Sequence, residues 1–110
     1  GGAAFETHVF GNMVRHCIYR ARPVDIHFWR TRDGEEVDFI VSTSRGITPV
    51  EVKLGLPNPR ELLSRERFAE PNWKTGVVIS ATTLSSPSLI GTSLSKGWRM
   101  GSPLELDFLD

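Results

Sequence analysis

Cysteine is almost absent from this chain, since Cys17 is the only one among 110 residues. A single thiol cannot form an internal disulfide or an all-thiolate zinc site, which excludes disulfide-stapled scaffolds and fits a reducing cytoplasm. No apolar run approaches the roughly 20 residues that a membrane-spanning helix needs. The start, Gly1 to Ala4, has neither an initiator Met nor the basic and apolar regions of a signal peptide. We therefore expect a soluble, cytoplasmic piece of a longer polypeptide.

Net charge is lacking too, because thirteen basic side chains balance thirteen acidic ones. Global attraction to nucleic acid or to an anionic membrane is not indicated, so any such binding must be local. With 39% hydrophobic and 24% charged residues, the composition is that of a globular protein, which argues against disordered, collagen-like and coiled-coil classes. A chain of this length buries one hydrophobic core and not two. We expect a single domain over residues 1–110.

The first half of the chain changes its hydrophobic period. Apolar residues recur at helical spacing from Ala3 to Arg20 and predict an amphipathic helix, which Pro23 stops. From Val24 to Val41 the period is two, and Asp33-Gly34 tolerates the positive φ angles of a tight turn, so this segment is predicted to be a β-hairpin. One face of its second strand is predicted to hold Val37, Phe39 and Val41.

Three more elements follow the hairpin. A strand is predicted from Ile47 to Lys53, in which Pro49 favours an edge position or an irregularity. Asn58 is a typical helix cap before Pro59, and we expect that helix to run to Glu70. The segment Trp73–Ser80 contains a continuous apolar run that predicts a strand buried on both faces.

The last thirty residues are the least regular. Residues from Ser80 to Ser102 are rich in Ser, Thr and Gly, and we expect mostly loop, with a short helix or strand left open. Alternation from Leu104 to Phe108 predicts a final strand. The element order is helix, three strands, helix and two strands, which predicts an α/β domain with helices packed on a central sheet.

Acidic side chains on two of the predicted strands are placed where they could bind a metal ion together. If the second and third strands are neighbours, Asp38 can lie beside Glu51, with Lys53 one pleat further along. Two carboxylates held together repel each other unless a cation lies between them. Hard oxygen ligands of this kind suit Mg²⁺ or Mn²⁺. The competing interpretation is a salt-bridged polar patch on the open face of a sheet.

Glu6 is the other acid in an unusual place. It shares a helix face with Phe10, Met13 and Cys17 at spacings of four, three and four, and should look towards the sheet. Near the amino terminus of the helix its negative charge is favoured by the helix dipole.

Three stretches of the chain together resemble a known family. They are Phe5-Glu6-Thr7-His8-Val9, the segment from Phe28 to Phe39 (FWRTRDGEEVDF) and Pro49-Val50-Glu51-Val52-Lys53. They look like the carboxy-terminal domain of unknown function attached to prokaryotic AAA-type ATPases. That domain is similar to the PD-(D/E)XK nuclease superfamily, so the resemblance implies a restriction-endonuclease-like sandwich, a central mixed sheet flanked by helices.

The resemblance also implies roles for individual residues. Asp38 and Glu51 resemble the two metal-binding carboxylates of the superfamily, with the main-chain carbonyl of Val52 as a further ligand, and Lys53 resembles the motif lysine. Glu6 resembles the helix-borne acid that supports the metal or its water. The implied reaction is phosphodiester hydrolysis, in which Mg²⁺ or Mn²⁺ activates water and neutralises phosphate oxygens.

Two features depart from the superfamily pattern. Val37 stands where the name-giving proline would precede the aspartate, and no glutamine is present to serve as an accessory ligand. The phosphate-binding loop of an ATPase, GxxxxGK[ST], does not occur in this sequence. An ATPase domain is therefore expected elsewhere in the same parent chain.

The expected partner is DNA. Trp29 and Arg30 can stack on or grip a nucleic-acid backbone, and Arg60 on the second helix can track phosphates. Packing against the helix explains Trp29 equally well. Pairing of two chains, by which many nucleases of this fold cut both strands, stays open. The alternative function is a catalytically silent module that docks the ATPase or a partner protein.

Overall fold

The computed structural model of the chain describes residues 2–21, 23–30, 36–62 and 72–110. It opens with helix α1, Gly2–Arg20, as the apolar spacing predicts. Val9 and Met13 on this helix are fully buried. The helix ends at Arg20, and Ala21 then adopts a left-handed φ of 52°.

A mixed sheet of six strands forms the centre of the described part of the chain. Its spatial order is β1-β2-β3-β4-β6-β5, in which β3, β4 and β6 run parallel and the outer pairs are antiparallel. The α/β class is therefore confirmed. The strands are β1 Asp25–Arg30, β2 Glu36–Thr43, β3 Gly46–Lys53, β4 Gly76–Ser80, β5 Ser93–Ser95 and β6 Trp98–Gly101.

The hairpin of β1 and β2 is confirmed and contains a β-bulge. After the pair His27↔Ile40, the next pair on β2 is made by Val37, so that Asp38 and Phe39 together oppose one residue of β1. A bulge inserts one extra residue, bends the strand and re-aims nearby side chains. The predicted Asp33-Gly34 turn lies outside the described residues.

Because of the bulge, the side chains of β2 do not all point to the predicted faces of the sheet. Phe39 and Val41 pack into the core beneath α1, whereas Val37 packs with Ile40 in the core on the opposite face of the sheet. The common face predicted for Val37, Phe39 and Val41 is therefore wrong for Val37. A strict period of two does not survive the insertion of one residue.

Strand β3 lies inside the sheet, between β2 and β4, so Pro49 does not mark an edge. The expected irregularity is present instead. Ile47 forms a parallel bridge with Trp73, but the ladder from Val50 pairs it with Val77, so the register changes by one residue across Pro49. Because proline has no N–H to donate, the register change falls where a ladder bond could not form.

The chain between β3 and β4 begins a helix as predicted. The Arg60 N–H donates to Asn58 Oδ1 at 3.0 Å, which confirms the asparagine cap, and a 3₁₀ turn covers Pro59–Leu62. Residues 63–71 lie outside the described residues, and with them the rest of the predicted helix. Strand β4 is buried at all five positions, as its apolar run predicts.

The carboxy-terminal region differs most from the expectation. A short helix α2, Thr82–Ser85, and strands β5 and β6 occupy the segment expected to be mostly loop. The final strand predicted at Leu104–Phe108 is wrong, because this segment holds an isolated bridge and the start of a 3₁₀ turn, Asp107–Leu109. The alternation there is too short to decide between a strand and a turn, and the partner position beside β4 is already taken by β6.

Two hydrophobic clusters, one on each face of the sheet, make up the core of this domain. The first packs α1 and the 3₁₀ turn at Asp107–Leu109 on β2, β3 and β4. The second packs Trp98, Met100 and Leu62 on the other face. Among the described residues, no helix combines the length and apolarity that crossing a membrane requires.

Candidate metal centre

The candidate site lies where the ladder between β2 and β3 ends. The last backbone pair is Phe39↔Val50, although β2 begins at Glu36 and β3 continues to Lys53. One step beyond this pair, the same register sets Asp38 opposite Glu51. The neighbouring strands predicted from the sequence are confirmed, and so is the side-by-side placement of these two acids.

Side chains take over the hydrogen bonding where the ladder stops. The backbone N–H of Asp38 donates to Glu51 Oε1 at 3.2 Å, and the backbone N–H of Val52 donates to Asp38 Oδ2 at 2.8 Å. Each carboxylate therefore accepts a bond from the strand that carries the other. These two bonds fix both side chains. They also give acceptors to the backbone N–H groups of Asp38 and Val52, which lie beyond the last backbone pair of the ladder.

The site places negative charge in a shielded position. Glu51 is only 6% exposed and Asp38 is half-buried. Interactions between charges are stronger where water is excluded, so two carboxylates this close favour a cation between them. Hydrogen bonds to the backbone offset part of the cost of burying Glu51.

Lys53 lies two residues beyond Glu51 on β3 and is half-buried. In a strand, residues at this spacing share a face, so its ammonium group is on the side of Glu51. Its backbone is fixed from the other neighbour, because Lys53 pairs with Ser80 and its carbonyl accepts the Ala81 N–H at 3.1 Å.

Ser80 is a positioning residue that sequence reasoning missed. It is fully buried, its hydroxyl donates to the Gly55 carbonyl at 2.9 Å, and the same oxygen accepts the Thr82 N–H at 3.1 Å. These bonds hold the chain that leaves β3 directly after Lys53. The available signal was a small polar residue that ends the apolar run of β4.

Glu6 is not gathered with the other two acids. It lines a cavity of about 90 Å³ on the α1 side together with Phe10, Phe28 and Phe39. Glu51 alternates with valines that pack beneath α1, so its side chain points to the opposite face. Within the described ranges, no three His, Cys, Asp or Glu side chains are arranged to hold a metal ion. The role expected for Glu6 stays a prediction.

The expected nucleic-acid residues are described only in part. Trp29 and Arg30 end strand β1, but their side chains lie outside the described residues. Arg60 is exposed in the 3₁₀ turn that follows β3. Contact of these residues with DNA stays a prediction.

Shifted pKa values occur away from this site, at the end of α1. The Asp110 carboxylate bonds Arg20 Nη2 at 2.9 Å and His16 Nε2 at 2.9 Å, and these bonds lower the pKa of Asp110 to about 2. Burial, with the nearby Asp110 charge, raises the pKa of the Cys17 thiol. Cys17 packs against the core as a small apolar residue, as its place in the helix predicts.

Comparison with known proteins gives one finding. No curated protein and no solved structure matches the chain. The model of one family matches residues 1–93, a range that includes α1, β1 to β4 and all residues of the candidate metal centre. The chain therefore belongs to the family described as Domain of unknown function (DUF4143).

Proposed function

We propose that this domain is a metal-dependent nuclease module of restriction-endonuclease-like fold that hydrolyses phosphodiesters in DNA and works with an AAA-type ATPase domain of the same parent chain. The observation that carries the proposal is the reciprocal pair of Asp38 and Glu51 at the end of the β2–β3 ladder. The family resemblance of the three sequence stretches supports the same reaction.

The residues present fit a hard divalent cation. Two carboxylates and the neighbouring main-chain carbonyl of Val52 offer oxygen ligands only, which suits Mg²⁺ or Mn²⁺. Mg²⁺ commonly binds through one or two carboxylates and takes its other ligands from water and substrate phosphate. A bound ion of this kind supplies Lewis acidity to a phosphate and lowers the pKa of a coordinated water.

The protein contributes position and charge around that ion. A backbone N–H donates to one oxygen of each carboxylate, so the two side chains are oriented before any ligand arrives. Lys53, on the face of Glu51, supplies positive charge for the phosphate oxygens as negative charge grows in the transition state. Glu6, a residue of α1, has the role of supporting the metal or its water, as the family resemblance implies.

The first experiment measures Mn²⁺ binding by calorimetry and cleavage of duplex, single-stranded and branched DNA. Glu51→Gln keeps an amide oxygen for the Asp38 N–H but removes the charge. We expect it to weaken Mn²⁺ binding at least tenfold and to abolish cleavage. Glu105→Gln, which removes an exposed carboxylate from the turn after β6, is the matched control and should change neither.

Lys53→Ala separates chemistry from metal binding. We expect Mn²⁺ to bind this variant while cleavage falls by about a hundredfold or more, because a donor to the developing charge is lost. Cleavage that survives both Glu51→Gln and Lys53→Ala would contradict the assignment of the site.

A docking module is the second candidate, and one surface favours it. Phe28 lies on β1, an edge strand of the sheet, and is 73% exposed although its ring packs against Phe10 and Phe39. An exposed aromatic on an edge strand suits addition of a partner strand. A domain that is indifferent to Mn²⁺ and cuts no DNA would favour this second function.

A further inference from the structure

A polar cavity lies at the other end of strand β3 from Glu51. It has a volume of about 310 Å³, within the size range of small-molecule sites. It opens beside the start of β3 and the chain that leads into β4, and the 3₁₀ turn after β6 closes one side. It is lined by Arg45, Thr48, Lys74, Thr75, Arg99, Asp107 and Phe108.

Three cationic residues far apart in sequence meet at this cavity, and hydrogen bonds anchor their backbones. Arg45 lies in the β2–β3 turn, where its N–H donates to Thr43 Oγ1 at 3.1 Å. The Lys74 N–H donates to the Ile47 carbonyl at 2.6 Å. Arg99 lies within β6, paired with β4. The backbones that carry the three positive charges are therefore held in place by hydrogen bonds.

The two arginines are not neutralised by the protein around them. Across the residues that the structure describes, neither Arg45 nor Arg99 forms an ion pair. Asp107 is the one carboxylate among the described residues that line the cavity. Positive charge therefore exceeds negative charge there, although the whole chain is neutral.

Thr48 gives an independent indication of a ligand. It is only 4% exposed and lines the same cavity. Within the described part of the chain, its hydroxyl has no hydrogen-bond partner. Buried hydroxyls almost always have a partner in the protein, in ordered water or in a ligand, so this one calls for an acceptor inside the cavity.

We propose that this cavity binds a phosphate-type oxyanion. A phosphate group accepts paired bonds from the planar fork of an arginine, attracts the Lys74 ammonium and accepts a bond from the Thr48 hydroxyl. Asp107 opposes the anion and lowers its affinity. The phosphate can come from a small phosphorylated molecule or from a nucleic-acid backbone, since both present the same oxygens.

The proposed anion site is separate from the candidate metal centre. Thr48 and Glu51 are three residues apart on β3, or roughly 10 Å at about 3.3 Å per residue. Thr48 also stands opposite Val41, which packs beneath α1, whereas Glu51 points to the other face. The two sites therefore face different sides of the sheet, and each can fail without the other.

Titration of the 110-residue chain with inorganic phosphate tests the proposal, with calorimetry at constant ionic strength as the readout. Arg99→Gln and Arg45→Gln should each weaken phosphate binding about tenfold or more, because each removes a charge-assisted bond. The control is Arg15→Gln on α1, whose guanidinium bonds Asn12 Oδ1 at 2.6 Å and which should bind phosphate as the wild type does.

Two further substitutions, which leave all three cationic residues in place, test the parts assigned to the Thr48 hydroxyl and the Asp107 carboxylate. Thr48→Val should weaken phosphate binding about threefold, because it replaces the donor by a methyl group of similar size. Asp107→Asn should strengthen binding, because it removes the opposing charge. Absence of saturable binding, or equal affinity in the wild type, Arg99→Gln and Arg45→Gln, would overturn the proposal.

A competition experiment identifies the source of the phosphate. A labelled duplex oligonucleotide is titrated against the wild type and Arg99→Gln, with and without a nucleoside monophosphate. Weaker oligonucleotide binding by Arg99→Gln assigns the site to a nucleic-acid backbone. Displacement of phosphate by the monophosphate alone assigns it to a small molecule, and a response to neither ligand counts against the site.

Discussion

The two ends of strand β3 carry opposite charge. At the carboxyl end, Glu51 and Asp38 hold two carboxylates in a nearly buried pair. At the amino end, Arg45 and Arg99 line a cavity without an ion pair among the described residues. A formal charge of zero thus hides two local fields of opposite sign. Composition alone can exclude a global field but says nothing about charges that folding separates.

The two ends also differ in how their polar groups are satisfied. At the carboxyl end, side-chain oxygens accept backbone N–H groups, so the acids are part of the sheet. At the amino end, the buried Thr48 hydroxyl has no partner among the described residues. The two carboxylates at the carboxyl end are therefore held in place by the protein itself, whereas the amino end has a buried donor without a protein acceptor among the described residues.

The largest expected effect is stabilisation of the folded protein by Mn²⁺, which should depend on the carboxyl end of β3 and not on its amino end. Mn²⁺ at a hundred times its Kd should stabilise the wild type by about 2.7 kcal/mol, because it binds the folded state only. We expect this gain to vanish in Asp38→Asn and to persist in Arg99→Gln. Thermal unfolding with and without Mn²⁺ measures both. Equal stabilisation of the two variants would show that the carboxyl end is not the metal site.

Glycine packing gives the next effect. A Cβ at Gly76, at the amino end of β4, would lie 2.5 Å from the Trp98 ring, and one at Gly101 would clash with Val77 Cγ1. The buried indole is held by its Nε1–H bond to the Leu62 carbonyl at 3.1 Å, so it cannot move aside easily.

Gly76→Ala should therefore destabilise the fold by about 2–3 kcal/mol. Gly101→Ala should cost less, since only one valine methyl must move. Urea unfolding of the two variants makes the comparison. A larger loss for Gly101→Ala would mean that the Trp98 side of the sheet is the more adaptable one.

The same substitution, Thr→Val, at two buried threonines should change the stability by a smaller amount. Thr83 is 1% exposed, and its hydroxyl lies 2.6 Å from the Ser80 carbonyl oxygen and 3.1 Å from that of Gly101. Thr83→Val should destabilise the protein by about 1–2 kcal/mol, because it removes a bonded hydroxyl and leaves carbonyls short of a donor.

Thr48→Val should have the opposite sign. Without phosphate in the buffer, we expect about 1 kcal/mol of stabilisation, because a buried hydroxyl without a protein partner is exchanged for a methyl group. Chemical denaturation in phosphate-free buffer measures both threonine variants. Destabilisation by Thr48→Val would indicate that its hydroxyl is already satisfied.

The smallest effect lies outside both ends, at Asp110. Its pKa falls from 3.8 to about 2 because Arg20 and His16 bond the carboxylate. A lowered pKa in the folded state contributes stability above the unfolded pKa, and that stability is lost as pH falls from about 4 through about 2. Asp110→Asn should flatten the unfolding profile in this window. Identical acid profiles for wild type and Asp110→Asn would contradict the pairing.

Local periodicity predicted the elements with strong patterns. Helix α1, the hairpin and the buried strand β4 followed from spacing, and the two-residue alternation also set Asp38 beside Glu51. Errors came where one residue changed the pattern. The bulge placed Val37 on the other face of the sheet. Leu104–Phe108 did not form a strand, because β6 already pairs with β4 at the position that such a strand would need.

By itself the sequence determined α1, the β1–β2 hairpin, β3 and β4, because hydrophobic period and turn chemistry act between neighbours in the chain. It also determined the carboxylate pair, since a short hairpin connection leaves few registers. Only the tertiary structure decided the bulge, the place of β6 and the meeting of Arg45, Lys74 and Arg99. Such contacts join distant segments, and their geometry depends on how strands cross and pack rather than on any local pattern.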